Sequence, residues 1–180
     1  LPGMVARIVN PENGEPILPG QPGLLLVKGP NVMLGYLGLE DKTAEVLNKG
    51  WYVTGDIAAM DEDGFLTITD RLSRFSKIGG EMVPHIKVEE KLHELVELTE
   101  QTFVVTGVPD EKKGERLVVL YQNIEDVVIE TVNAKLITSD LPNIWKPRSD
   151  QFFKVDTLPY LGTGKLDLKQ IKLLAVEFSK

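Results

Sequence analysis

Over residues 4–10 apolar and polar side chains alternate loosely, as in a half-buried strand, and Pro11-Glu12-Asn13-Gly14 ends the run as a turn. Residues 23–28 form a denser apolar run closed by Gly29-Pro30, which predicts a second strand. Residues 43–47 predict one helical turn or two, and 51–53 and 57–60 predict two strands. Asp61-Glu62-Asp63-Gly64 then predicts a hairpin turn into 65–69, where the alternation has period two. From Asp70 the texture changes. Residues 75–78 and 81–83 flank Gly79-Gly80 as the arms of a small hairpin would. Pro84 suits a first helical turn. Val88, Leu92, Leu95 and Val96 recur at helical spacing and predict an amphipathic helix over 86–98. Strands are predicted at 102–108 and 117–122, joined by a charged turn over 109–115. A helix is predicted at 126–137 with Val128, Val132 and Leu136 inward, and a short strand at 152–155. Asp167 can cap a last helix whose Leu168, Ile171, Ala175 and Phe178 share a face. A β-rich first part is thus followed by an α+β second part, with the switch at 70–74 and domains over 1–70 and 71–180. No internal repeat or low-complexity segment interrupts the pattern.

Composition narrows the function classes. The 180 residues are 42% hydrophobic and 26% charged, close to the globular average, so disorder, collagen and coiled coil are poor readings. The longest unbroken apolar runs are about five residues, against the roughly 20 a membrane helix needs, so no segment is expected to span a bilayer. The first residues carry neither a basic region nor a long apolar stretch, so no signal peptide is expected. With no Met at the start, the chain reads as a piece of a longer one. A net charge of −7 argues against non-specific nucleic-acid binding. With no Cys, disulfides, thiolate metal sites and cysteine nucleophiles are excluded. The two histidines, His85 and His93, are too few for most zinc sites and are expected on a helix surface.

Four segments carry candidate chemistry. A strand running into Thr54-Gly55-Asp56 places a carboxylate at a tight turn, where it can accept two hydrogen bonds from a vicinal diol; an Asp that satisfies turn N–H groups has the same pattern. In Asp70-Arg71 the guanidinium fork can reach a ribose or phosphate, or the two can form an ordinary surface pair. Gly79 and Gly80 in a hairpin permit close backbone approach to a ligand, or make a plain turn. Pro159-Tyr160-Leu161-Gly162-Thr163-Gly164-Lys165 presents a lysine from a Gly-rich loop ahead of a helix, where a charge on a flexible stem can reach a carboxylate or an α-phosphate. It is no Walker A loop, because Leu166 follows the lysine. A Gly-Lys turn is also a common solvated loop.

Taken in order, these segments resemble the C-terminal part of the adenylate-forming enzymes, which include acyl-CoA synthetases, luciferases and nonribosomal adenylation domains. The resemblance covers nearly the whole chain. Residues 23–36 are similar to the family's Gly-Glu-Leu…Gly-Tyr segment, with Leu24 where Glu is usual. Gly50-Trp51-Tyr52-Val53-Thr54-Gly55-Asp56 is similar to its ribose-binding motif, Asp70-Arg71 to the start of its hinge motif, and 141–147 to its Leu-Pro-x-Tyr-x-x-Pro segment with Trp145 offset. Residues 159–165 are similar to the C-terminal catalytic-lysine motif. Within the family, 74–83 resembles the acyl-[acyl-carrier-protein] synthetase half of bifunctional 2-acylglycerophosphoethanolamine acyltransferases.

The resemblance implies an α+β fold: the β-rich end of the large AMP-binding domain, then the small mobile C-terminal lid domain. It implies that Asp56 binds the ribose hydroxyls, that Arg71 supports the ribose or phosphates, and that Lys165 bridges a fatty carboxylate and the α-phosphate of ATP while the acyl-adenylate forms. It implies a hinge at Ser73, where the family usually has Asp or Lys, and a Gly79-Gly80 loop facing the thioester-forming site and its phosphopantetheine tunnel. The implied cofactors are ATP and Mg2+, with the metal ligands outside this segment. The implied partners are a fatty acid, acyl carrier protein and, through the parent protein, a lysophospholipid at the cytoplasmic face of the bacterial inner membrane. The family's phosphate loop and the acyltransferase His-x4-Asp pattern are both absent, so the segment alone is expected to be inactive. An acyl-CoA synthetase is the alternative within the class. A non-catalytic docking module for a carrier protein or membrane partner is the alternative outside it. Docking of an acidic carrier would need a basic patch, for which Arg71, Arg74 and Lys77, or Lys146 with Arg148, are the candidates.

Overall fold

The alternation over residues 4–10 becomes β1 (Val5–Val9), and the apolar run after it becomes β2 (Gly23–Lys28), its antiparallel neighbour. The computed structural model describes residues 2–180, which divide into two compact units, one ending at Leu72 and the other running Ser73–Lys180. In the first unit α1 (Glu40–Val46) buries no residue and leads into the two-residue β3 (Leu47–Asn48). One long strand, β4 (Trp51–Met60), replaces the two short strands of the sequence reading, and β5 (Leu66–Arg71) follows the turn at 61–64. The sheet runs β1-β2-β4-β3, with β5 also paired to β4, and every pairing is antiparallel. Asp61 closes the hairpin by accepting the Phe65 N–H at 2.8 Å on Oδ1. Trp51 sits under the guanidinium of Arg7, 4.3 Å from its ring centroid, a cation–π contact on the sheet surface.

A 3-10 turn, Leu72–Arg74, spans the boundary between the units, and the second unit continues with the hairpin β6 (Phe75–Ile78) and β7 (Glu81–Pro84). Then come α2 (His85–Val96), β8 (Phe103–Asp110), β9 (Gly114–Tyr121), α3 (Asp126–Ile137), β10 (Phe152–Lys154) and α4 (Leu168–Phe178). The charged turn at 109–115 is shorter than its sequence suggests, because both flanking strands extend into it. Strand β9 is central: it pairs with β8 along its length, with β10 in parallel, and with β6 through Ile78 and Gly114.

Period two explains why β8 and β9 are nearly continuously apolar. Phe103, Val105, Leu117, Val119 and Tyr121 face one side and pack with Val88 and Leu92 of α2 and with Ile129, Val132 and Leu136 of α3. Val104, Val108, Val118 and Leu120 face the other side and pack with Leu158 and with Ile171 and Ala175 of α4. The unit is therefore an α+β sandwich of helices around one sheet. Asp167 caps α4 by accepting the N–H groups of Lys169 and Gln170. Phe178, expected on the buried face, is 45% exposed and stacks on Phe153 with centroids 5.9 Å apart.

Candidate functional site

The Thr-Gly-Asp segment is a bulge inside β4. Leu24 pairs with Ile57 and Leu26 with Val53, so three residues of β4 lie opposite the single intervening Leu25. Gly55 has φ +76°, a conformation that favours glycine. Thr54 Oγ1 donates to the Leu25 carbonyl at 2.9 Å and accepts the Asp56 N–H at 3.0 Å, which fixes the bulge. The interruption that splits the apolar pattern in the sequence is thus the device that aims Asp56.

Asp56 and Arg71 are cross-strand partners on β4 and β5, and Arg71 Nε lies 2.8 Å from Asp56 Oδ1. Arg71 therefore pairs with a residue fifteen positions away, while its own N–H goes to Asp70 Oδ1 at 2.7 Å. The Asp56 side chain is 21% exposed, and Oδ2 has no protein hydrogen bond among the described residues. One oxygen held and one open suits a carboxylate that receives a hydroxyl of a diol. Beside them, a hydrogen bond to Tyr36 and then burial hold the Tyr52 hydroxyl above the usual phenol range.

The second unit carries the remaining candidates. Gly79 (φ +59°) and Gly80 (φ +92°) form the two-residue turn between Ile78 and Glu81. Positive φ at both positions is what a twisted two-residue hairpin requires, so the turn alone accounts for both glycines. The Gly79 N–H is tied to the Lys113 carbonyl at 2.9 Å. Nothing lies within 4 Å of where a Gly80 Cβ would sit, so that side is open to an approaching group.

Lys165 ends a loop closed on itself: the Leu161 N–H donates to the Lys165 carbonyl at 2.7 Å, and Tyr160 bridges Leu166. Its ammonium is exposed and has no ion pair or hydrogen bond among the described residues. The loop borders an open cleft of about 1080 Å³ whose other wall is α2, with Glu89, His93 and Glu94, joined by Arg74 from the 3-10 turn. The glycine turn does not line this cleft. Ser73, the first residue of the second unit, is exposed in the 3-10 turn that spans the boundary. Among the described residues no group of three or more His, Asp or Glu side chains could hold a metal ion, and no helix is long and apolar enough to cross a membrane.

Two expectations are corrected. The histidines do not lie on a helix surface. His85 is 2% exposed, with Nε2 2.8 Å from Ser76 Oγ, and burial followed by the charges of Arg74 and Lys172 pushes its pKa down to about 3. His93 is half-buried; Nδ1 lies 2.8 Å from the Glu89 carbonyl and Nε2 accepts the Thr102 N–H at 3.0 Å. Arg74 supplies no surface patch either. It is 8% exposed and donates through Nη2 to Glu89 Oε2 at 2.5 Å. Of the second proposed patch, the Lys146 ammonium is engaged by the carbonyls of Ile137 and Ser139, and Arg148 is paired to Asp150. Arg74 and Glu89 are fifteen residues apart and Glu89 stands sixteen before Val105, whose N–H it accepts, so the buried pair leaves no sequence signal beyond Arg and Glu at apolar-face positions.

Comparison with known proteins agrees with this architecture. No protein-family model matches the chain. A feruloyl-CoA synthase from Amycolatopsis is 38% identical over 169 residues, covering 89% of this chain and 32% of that protein. A long-chain-fatty-acid–CoA ligase from Bacillus subtilis is 35% identical over 173 residues, covering 92% of this chain and 29% of that protein. The crystal structure of ATP-bound MatB from Rhodopseudomonas palustris superposes with a TM-score of 0.79 and 27% identity, over 100% of this chain and 35% of that one. The chain spans about a third of the length of the curated relatives it matches. Sequence and fold together match it to the C-terminal part of the AMP-binding, adenylate-forming ligases, the acyl- and aryl-CoA ligase family.

Proposed function

We propose that the protein of which this chain is part joins a carboxylic acid to a thiol in two steps at the expense of ATP. A carboxylate oxygen attacks the α-phosphorus and pyrophosphate leaves. A thiol sulfur then attacks the acyl carbon and AMP leaves. In this reading Asp56 receives the ribose hydroxyls on its open oxygen while Arg71 holds the other. Lys165 places positive charge between the carboxylate and the α-phosphate, where negative charge gathers during the first step. The Gly79-Gly80 turn flanks the thiol in the second, and Ser73 is the pivot between the two arrangements. Residues 1–72 are then the end of the large AMP-binding domain and residues 73–180 the lid. Ligands for Mg2+ belong to the part of the protein outside this chain.

The observation that carries the reading is the Lys165 ammonium, without a partner among the described residues and presented by a closed loop at the rim of a large cleft. The similarity of 74–83 to acyl-[acyl-carrier-protein] synthetases supports a fatty acid as the acid, acyl carrier protein as the thiol, and lysophospholipid reacylation at the cytoplasmic face of the membrane as the use of the product. Coenzyme A is the second acceptor reading, favoured by relatives that are themselves CoA ligases.

The test is acid-dependent ATP–pyrophosphate exchange in the full-length parent, wild type beside Lys165→Ala. The variant is expected to lose about 10²–10³ in rate with nucleotide binding kept, as when one charge-stabilising donor is removed. Undiminished exchange would remove Lys165 from the first step. Thioester formation with acyl carrier protein and with coenzyme A then separates the two acceptors.

A further inference from the structure

Buried charge is concentrated where the chain enters the second unit. Residues 74, 76 and 78 alternate inward at the start of that unit, and two of the three are polar. Arg74 is bound by Glu89 of α2, and the other Glu89 oxygen, Oε1, accepts the Val105 N–H of β8 at 2.6 Å. Among the described residues strand β8 pairs with β9 alone, and Glu89 serves an N–H on its outer edge. Two residues on, Ser76 Oγ meets His85 Nε2 at the first turn of α2. Ser73, immediately before Arg74, is exposed.

An Arg–Glu pair removed from water is costly relative to an apolar pair of similar volume, so stability alone gives little reason to place one there. What the pair supplies is direction. It locks the residue after Ser73 onto a helix and a strand at once, through hydrogen bonds that tolerate little rotation.

We propose that Arg74 is a positioning residue. By clamping Glu89 it ends the pivot at Ser73 and makes β6, with its Gly79-Gly80 turn, a rigid extension of the α2–β8 body. A rotation at 72–73 then reaches the glycine turn undiminished. The same pair lines the cleft bordered by the Lys165 loop, so both reactive elements are referenced to one anchor. The inference rests on the acyl-activating reading above.

The test uses the full-length parent with Arg74→Met combined with Glu89→Gln, which keeps an acceptor for the Val105 N–H. Val132→Ala, at a buried position of α3, serves as a control for general destabilisation. In the double variant amide exchange over 75–78 is expected to rise at least tenfold relative to β9, and thioester formation from preformed adenylate to fall at least tenfold more than pyrophosphate exchange. The control should move neither ratio. Unchanged exchange over 75–78, or half-reactions that fall in proportion, overturns the proposal. A wild type that forms no adenylate overturns the acyl-activating reading instead, and the amide-exchange arm still accepts or rejects the anchor.

Discussion

Acidification should weaken the second unit through a single buried imidazole. His85 is held neutral in the fold, its pKa pushed down to about 3 by burial and then by Arg74 and Lys172, whereas an unfolded histidine titrates near 6.5. Between those values the unfolded chain binds a proton that the folded chain refuses. Stability is therefore fully present above pH 6.5 and is lost as pH falls toward 3, at up to about 1.4 kcal/mol per pH unit. Between pH 7.5 and pH 5 the loss comes to about 2 kcal/mol, a large share of the roughly 5–15 kcal/mol that holds a domain together. The assay is urea unfolding followed by Trp145, which packs against the core of the second unit, in a Trp51→Phe background that silences the other tryptophan. His85→Gln keeps a polar atom for Ser76 but cannot titrate, and His93 is present in both proteins. The wild type should lose about 2 kcal/mol more than His85→Gln over this range. Equal losses, or a His85 ring resonance that titrates near 6.5, would refute the reasoning.

Three other perturbations have defined outcomes. Gly107→Ala would place a Cβ 1.8 Å from Ser76 Oγ, so it should cost about 1–3 kcal/mol in urea melts and release the Ser76–His85 hydrogen bond. Asp167→Ala removes the acceptor for two N–H groups at the start of α4 and should cost about 1 kcal/mol, with Asp167→Asn recovering most of it. Asp56→Ala in the parent should raise the KM for ATP at least tenfold under the proposed function, while a thermal melt of the second unit stays in place.

Much of the fold is legible because periodicity changes where elements change. The helices over 85–96 and 126–137 and the hairpin around Gly79-Gly80 follow directly from apolar spacing and turn chemistry. Strand β4 is misread as two pieces because Thr54-Gly55-Asp56 breaks its apolar run, and hydrophobicity cannot distinguish a bulge from a loop. Arg71 illustrates a second limit. Its neighbour in the sequence is Asp70, but its partner is Asp56, and only the β4–β5 register brings them together. His85 and Arg74 illustrate a third. A polar residue is assigned to the surface by default, and burial becomes visible only when Ser76 and Glu89 are seen to meet it from other elements. The relatives' length adds a fourth: this segment spans about a third of them, and spacing within it says nothing about residues that lie elsewhere in a longer chain.

The hairpin of β8 and β9 is apolar on both faces, and this removes an ordinary safeguard. In a strand with one wet face, a slip of one residue exposes the core side chains and is rejected at once. Here a slip would exchange one greasy face for the other, and burial would scarcely notice. Alignment must be enforced by features that are not hydrophobic. The Asp110 carboxylate gathers the Lys112 and Lys113 N–H groups, each at 3.0 Å, and pins the turn at one phase. Gly107 leaves the single notch into which Ser76 fits. Proofreading of the central hairpin is thus delegated to one acidic side chain and one missing methyl group, and a strand shifted by a residue would be betrayed at these two points rather than by its oiliness.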